Sequence, residues 1–426
     1  MPEALMSLTI RPCWGLRKVS PLRARLVWPA AVAVLIYCGS TITCFSLGIR
    51  IPDHGARATG QSDAFTAQAD DVTAIYYNAA GLTQLEGTHV ASGAYLWFPN
   101  YDFNGTGTTE EMNKWALIPH FYVATDFGQD AWRFGLGINS PFGTGVDWGD
   151  NGAFQFIVTK ARLTVVNFAP TVAYKVNEHL SVGLNLNVYY ADANLENRVF
   201  FAPPPFPEGY FRFHGTGLGV GATVGALWKI NERHAVGVVY RSPFEIEVDG
   251  SAKLNPQNPG FASSSTSTDL NFPQIIDAGY AFRPIKKLKL EADLEWINWD
   301  VANKIRFRSS NAAFDGTTIP LRWRDSFAYK VGAEYEIDEH WAVRAGYAFW
   351  ENSVPNSTYS PLVPDADYHS VTAGVGYSAS RWGIDVAYQA NISEGRKVSG
   401  SVNSPAVNGK WDFLNHAVIL TSRFKF

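Results

Sequence analysis

After residue 46 the sequence has no cysteine, no apolar run long enough for a membrane helix, and few charges for its length. Each absence narrows the class. All three cysteines, Cys13, Cys38 and Cys44, precede that point, so the remainder can form neither a disulfide nor a thiolate metal site. Charged residues make up 17% of the chain, against about 25% in ordinary soluble domains. Nine histidines, among them His54, His120, His214 and His369, lack metal-ligand spacing, and neither Gly-x-Ser-x-Gly nor His-Gly-x-Ser occurs. No catalytic residue, metal or cofactor is expected, which argues against an outer-membrane lipase.

What is present is alternation. Leu180, Val182, Leu184, Leu186, Val188 and Tyr190 share one face of a strand, with Ser181, Gly183, Asn185, Asn187 and Tyr189 on the other. Leu288, Leu290, Ala292, Leu294 and Trp296 repeat the pattern against Lys287, Lys289, Glu291, Asp293 and Glu295. The chain ends on Val418, Leu420, Phe424 and Phe426 against Arg423 and Lys425. Faces this strongly charged, opposite faces this apolar, fit an all-β transmembrane antiparallel barrel with lipid outside and a polar lumen.

Alternation and turn chemistry place strands near 89–103, 114–126, 131–141, 160–176, 179–196, 211–229, 233–250, 269–283, 286–308, 324–337, 340–352, 368–379, 381–392 and 412–426. That is about 14 strands, an even number as single-chain outer-membrane barrels have. Every second connection is tight, as at Asn177-Glu178, Asn231-Glu232 and Asp338-Glu339, and the others are long and rich in Gly, Pro, Ser and Asn. Short turns then face the periplasm and long loops the exterior of a Gram-negative outer membrane.

The first residues read as a signal peptide, 1–46: Arg11, Arg17, Lys18, Arg23 and Arg25 precede an apolar stretch, Leu26 to Tyr37, and small residues follow. Removing five basic residues and Glu3 with this leader moves the formal charge from −4 to −8. Nucleic acid is excluded as a partner on that balance. Residues 47–86 lack alternation and carry small and apolar residues at helical spacing, broken by Gly60 and Gly81; too short to form a core alone, they are expected as a hatch plugging the lumen of a barrel over 87–426.

The segment Gly60-Gln61-Ser62-Asp63-Ala64-Phe65, then Ala69-Asp70-Asp71, then Ile75-Tyr76-Tyr77-Asn78-Ala79-Ala80-Gly81-Leu82, resembles the N-terminal hatch of the FadL family, outer-membrane transporters for long-chain fatty acids and other hydrophobic compounds. The similarity continues through Ser140-Pro141-Phe142-Gly143, Tyr240-Arg241-Ser242-Pro243, Glu295-Trp296, Trp323-Arg324-Asp325 and Arg344-Ala345-Gly346-Tyr347. The resemblance implies a fourteen-stranded, monomeric barrel with a helical hatch, taking up fatty acids or, alternatively, hydrocarbons or monoaromatics. A general porin would need neither plug nor oily loop. In the hatch the family carries Asn-Pro-Ala where this chain has Asn78-Ala79-Ala80, which removes a fixed φ and restores a backbone donor.

Three candidate sites follow. The loop carrying Phe200, Phe201, Phe206, Tyr210 and Phe211 among prolines is an exposed aromatic cluster, suited to catching an apolar ligand or, equally, to packing on its neighbours. Ser140, Pro141, Phe142 and Gly143 should interrupt the third strand. They either end it or, as the resemblance implies, kink it to open the wall beside Asn78, Ala79 and Ala80. Lys289, Glu291, Glu295, Arg324, Asp325 and Arg344, with Asp293, Lys330 and Glu334, are lumen charges that could hold a carboxylate but more commonly pair and fix the hatch. Expected partners are a hydrophobic small molecule, outer-membrane lipid and lipopolysaccharide, and the barrel-assembly machinery through the strand ending in Phe426.

Overall fold

The computed structural model describes residues 48–199, 209–255, 263–312 and 314–426. The leader and Phe200, Phe201 and Phe206 lie outside them. The wall is a single antiparallel sheet of fourteen strands. It closes because the first strand, Thr88–Phe98, pairs with Ala116–Thr125 on one side and with the last strand, Gly409–Lys425, on the other, Val90 opposite Phe424 and Trp97 opposite Ala417. Closure leaves no edge, as lipid demands, since each unpaired backbone group there costs several kcal/mol.

The faces are inverted relative to a soluble protein. In the fifth strand, Leu180–Val199, Asn185 and Asn187 are each 3% exposed while Leu184 and Leu186 are 47% and 51% exposed. Asparagine turns to the lumen and leucine to the surrounding lipid. Among the described residues no helix is long and apolar enough to cross a membrane.

The tight connections repeat one device. Asn177 Oδ1 accepts from the backbone N–H groups of His179 and Leu180, both at 2.8 Å; Asn231 does the same for Arg233 and His234, and Asp338 for His340 and Trp341. Such side-chain turns reverse the chain in few residues. Beside them Trp132, Trp228, Trp341 and Trp382 are exposed, an aromatic girdle on the short-turn rim.

Proline refines the expected strands. The seventh is broken between Arg241 and Phe244, at Ser242-Pro243, and the eighth between Phe272 and Ile275, at Pro273, because proline cannot donate to a ladder. The ninth is two pieces, Leu288–Ile297 and Lys304–Ser309, separated by a single turn at Trp299–Val301. Tyr101–Gly105 belongs not to the first strand but to a hairpin with Thr108–Met112.

Residues 48–86 lie inside the barrel, almost wholly buried, as two one-turn helices, Ala56–Thr59 and Ala74–Tyr77, and a 3₁₀ segment, Ala79–Gln84. Asn78 caps the last of these by accepting from Ala80 N at 3.2 Å. The wall makes room with lumen-facing glycines. A Cβ on Gly183 would collide with Ala79 and Ala80, and one on Gly225 with the Asn78 amide.

Candidate functional site

The hatch is held by charge. Arg57 donates from Nε and Nη2 to both oxygens of Glu334, each at 2.7 Å. Glu334 also meets Arg344 Nε at 2.7 Å and Lys289 Nζ at 2.8 Å, and Lys289 reaches Asp70 of the hatch at 3.1 Å. Arg344 continues to Asp385 at 2.8 Å, and Asp385 to Arg423 at 2.6 Å. Higher in the lumen Lys330 sits between Asp277, at 2.8 Å, and Glu295, at 3.0 Å, and Glu295 also pairs with Arg50.

Two carboxylates bind hatch backbone instead. Glu291 accepts from Ala67 N at 2.5 Å and Gln68 N at 2.9 Å, and Asp293 from Phe65 N at 3.0 Å and Thr66 N at 3.1 Å. Lys289, Glu291, Glu295 and Arg344 are thus brought together against the hatch. Arg324 and Asp325 do not join them: both are exposed near the outer rim, where Asp325 accepts from Trp296 Nε1 at 3.1 Å. They lie before the tenth strand, Ser326–Glu336, so they never enter the alternation that turns side chains inward.

The third strand, Trp132–Asp147, does not end at Pro141. Its ladder with the second strand stops at Phe121 opposite Ile138, although Ala116 to His120 still pair with the first strand. Its register with the fourth strand slips between Asn139 and Phe142. From Asn139 to Val146 every residue is buried, where the preceding stretch alternated. Here the strand parts from the second strand while it still pairs with the fourth, from Phe142 opposite Val165 to Asp147 opposite Lys160. The vacated backbone groups find another partner: Ile51 N donates to Pro141 O at 2.9 Å and Gly143 N to Ile49 O at 2.8 Å, making Arg50 and Phe142 a β-bridge.

Asn78, Ala79 and Ala80 are not beside this break. They rest on the fifth and sixth strands, Asn78 Nδ2 donating to Ala226 O at 3.0 Å. Ile75, three residues earlier, is the one of this run that packs on the third strand, at Gly135 and Gly137. The four-residue helix Ala74–Tyr77, which stops just before Asn78, turns these neighbours apart, which motif proximity in the sequence does not reveal.

Above the break is an apolar cleft of about 110 Å³. Leu163, Phe213, Phe272, Trp299, Phe307 and Trp323 are among its walls, and Ile49 reaches it from the hatch end. Its cations sit aside: Arg162 is paired with Asp192 at 3.0 Å and Lys304 is exposed. Phe307 lies 5.2 Å from the Phe213 ring and 6.4 Å from that of Phe211, which also packs on Phe314 at 5.4 Å. Tyr210 stacks between Arg198 and Arg212. The described end of the aromatic loop therefore adjoins the cleft through continuous rings. No motif marked this cleft, because its walls come from segments far apart in the chain; the break at Trp299 in an otherwise regular strand was the available signal.

The family model for outer membrane protein transport protein (OMPP1/FadL/TodX) matches residues 36–426. The long-chain fatty acid transport protein of Escherichia coli O6:H1 is 22% identical over 93% of this chain and 98% of its own length. Outer membrane protein P1 of Haemophilus influenzae is 24% identical over 69% of each. Among solved structures, a Pseudomonas aeruginosa FadL homologue superposes with TM-score 0.79 at 18% identity, covering 89% of this chain and all of the other. The Ralstonia pickettii toluene transporter TbuX gives 0.69 at 16% identity, covering 88% and 99%. The chain therefore belongs to the OMPP1/FadL/TodX family of outer-membrane proteins, which are transport proteins and not enzymes.

Proposed function

We propose that this protein takes up long-chain fatty acids by catching them at the outer aromatic loop, holding the acyl chain in the apolar cleft and releasing it sideways where the third strand parts from the second. The observation that carries the reading is the cleft's position. It lies in a polar lumen, with Thr144 of the third strand and Ile49 of the hatch among its walls. Burying apolar area there, at roughly 25 cal/mol per Å², favours an oily molecule over the hydrated layer outside. The hatch blocks the straight path below, so the side exit is the shorter route into the membrane.

The similarity to the Escherichia coli long-chain fatty acid transport protein supports that substrate class. A second reading, monoaromatic hydrocarbons, is favoured by the rings of Phe213, Phe272, Trp299, Phe307 and Trp323 in the walls. Competition between palmitate and toluene for a fluorescent fatty acid bound to the purified protein separates the two.

The exit is tested by locking the segment that pairs with the break. Arg50 and Phe142 face each other in the β-bridge, so Arg50→Cys with Phe142→Cys can form a disulfide. Cells carrying the oxidised form should lose uptake and regain it on reduction. Equal uptake by both forms would refute a side exit here.

A further inference from the structure

Below the apolar cleft, against the break in the third strand, is a much smaller cavity of about 20 Å³ whose walls mix apolar side chains with buried polar ones. Arg241 enters it from the end of the first half of the seventh strand, and Asn139, Asn167 and Asn185 from the third, fourth and fifth strands. Phe142 lies over it. The Phe142 ring packs 5.7 Å from Phe244 and 5.0 Å from Phe272, and Phe272 is itself a wall of the cleft above. One aromatic layer therefore separates the cleft from the cavity below it.

The lower cavity holds a buried donor with no acceptor. Arg241 Nη2 donates to Tyr76 O at 2.8 Å and the guanidinium lies 5.1 Å from the centre of the Tyr76 ring, but Nη1 is buried with no hydrogen-bond partner. Among the described residues no carboxylate pairs with Arg241, whereas Arg50, the other cation of this cavity, is paired with Glu295. Asn139 is 1% exposed, and its Nδ2 is likewise buried, with only the Tyr122 hydroxyl beside it. A half-satisfied guanidinium inside a membrane protein is costly, and an anionic oxygen is the group that satisfies it best.

We propose that this cavity is a head-group site, in which Arg241 Nη1 and Asn139 Nδ2 receive the carboxylate of an amphiphilic monoanion on its way from the cleft to the break. The inference rests on the reading of the cleft as an acyl-chain site. A neutral hydrocarbon has nothing to offer these donors, so the cavity selects acids over neutral molecules of equal length. Entry past Phe142 is then paid in lost apolar contact and returned in charge-assisted hydrogen bonds.

The test compares uptake of labelled palmitate and labelled hexadecanol by cells lacking their own transporter, with background from cells lacking this protein subtracted. Arg241→Gln should lower palmitate uptake relative to hexadecanol by roughly tenfold to a hundredfold, and Arg241→Lys should restore part of it. Asn139→Asp leaves the bond to Tyr76 intact and puts a fixed carboxylate in the wall of the same cavity; it should also depress palmitate uptake alone. Equal loss of both probes in Arg241→Gln and Asn139→Asp would reduce Arg241 to a brace for the hatch and overturn the proposal. Unchanged palmitate uptake in either variant overturns it too, as does wild-type protein that carries the alcohol but not the acid. If wild-type protein carries neither probe, the transport reading itself fails.

Discussion

Arg57 in the hatch and Glu334 on the tenth strand face each other squarely, two donors on two oxygens, each at 2.7 Å. Glu334 is also the acceptor for Arg344 and Lys289, so one wall carboxylate holds three cations in a buried network. Pulling the hatch out as a body would strand those charges in the lumen. The arrangement favours a passage that leaves this lower half of the hatch in place.

Glu334→Gln keeps the shape and removes the charge. Deleting one member of a buried ion network costs roughly 3–5 kcal/mol, so hatch amides should lose protection in hydrogen exchange while the barrel strands keep theirs. As a control, Lys175→Ala breaks an exposed, solvent-screened turn pair with Glu178 and should leave hatch protection as in the wild type. Equal protection of the hatch in Glu334→Gln and wild type would show that the network does not anchor it.

The lumen-facing glycines predict a different failure. Valine at Gly183 would drive Cβ into Ala79 and Ala80, and valine at Gly225 would meet the Asn78 amide. Neither change touches the lipid face, so the barrel should still assemble and show the heat-dependent gel shift of a folded barrel. The displaced hatch should become protease-sensitive and the pore should conduct ions. A protected hatch in Gly183→Val would count against the close seat.

Which features were legible in the sequence follows from the range of the interactions. The inside-out alternation around Leu184 and Asn185 is local, and it placed the wall and both rims. Proline interruptions at Pro243 and Pro273 are local too, yet alternation on either side of them reads as one strand. Arg324 and Asp325 fall in the lumen only if the tenth strand starts at 324 as alternation suggests; it starts at Ser326, so both stay outside the inward-facing pattern. The pairing of Ile49 and Ile51 with the third strand crosses about ninety residues, and the cleft joins Ile49 to Val363. No spacing rule links segments so distant.

Two hatch carboxylates should respond to pH with opposite sign. Burial pushes Asp70 up, but Arg57 and Lys289 outweigh it and hold it at about 2. Its stabilising contribution is complete above the ordinary value of 3.8 and is lost only as pH falls toward 2. Asp53 is raised well above 3.8 by burial and by its neighbour Asp63. Its contribution is complete below 3.8 and is lost as pH rises through the raised value, at up to about 1.4 kcal/mol per pH unit. Asp53→Asn should therefore raise the unfolding midpoint of the hatch at pH 7, with the gain shrinking as pH falls toward 4. A gain independent of pH would assign the effect to packing instead.

The cleft should fail when filled from its own wall. Ala193 lines it and is partly buried among apolar neighbours, so Ala193→Trp would place an indole in the path of an acyl chain. Excluding three or four methylenes at about 0.8 kcal/mol each removes about 3 kcal/mol, or roughly a hundredfold in affinity. Titration of a fluorescent fatty acid into the purified protein reads this directly. A smaller wall change, Leu195→Ala, enlarges the cleft near its outer end and should weaken binding by no more than about tenfold. Toluene is short enough to bind beside the indole, so a variant that loses palmitate but keeps toluene would place the acyl chain along Ala193. Undiminished palmitate affinity in Ala193→Trp would move the binding site elsewhere in the lumen.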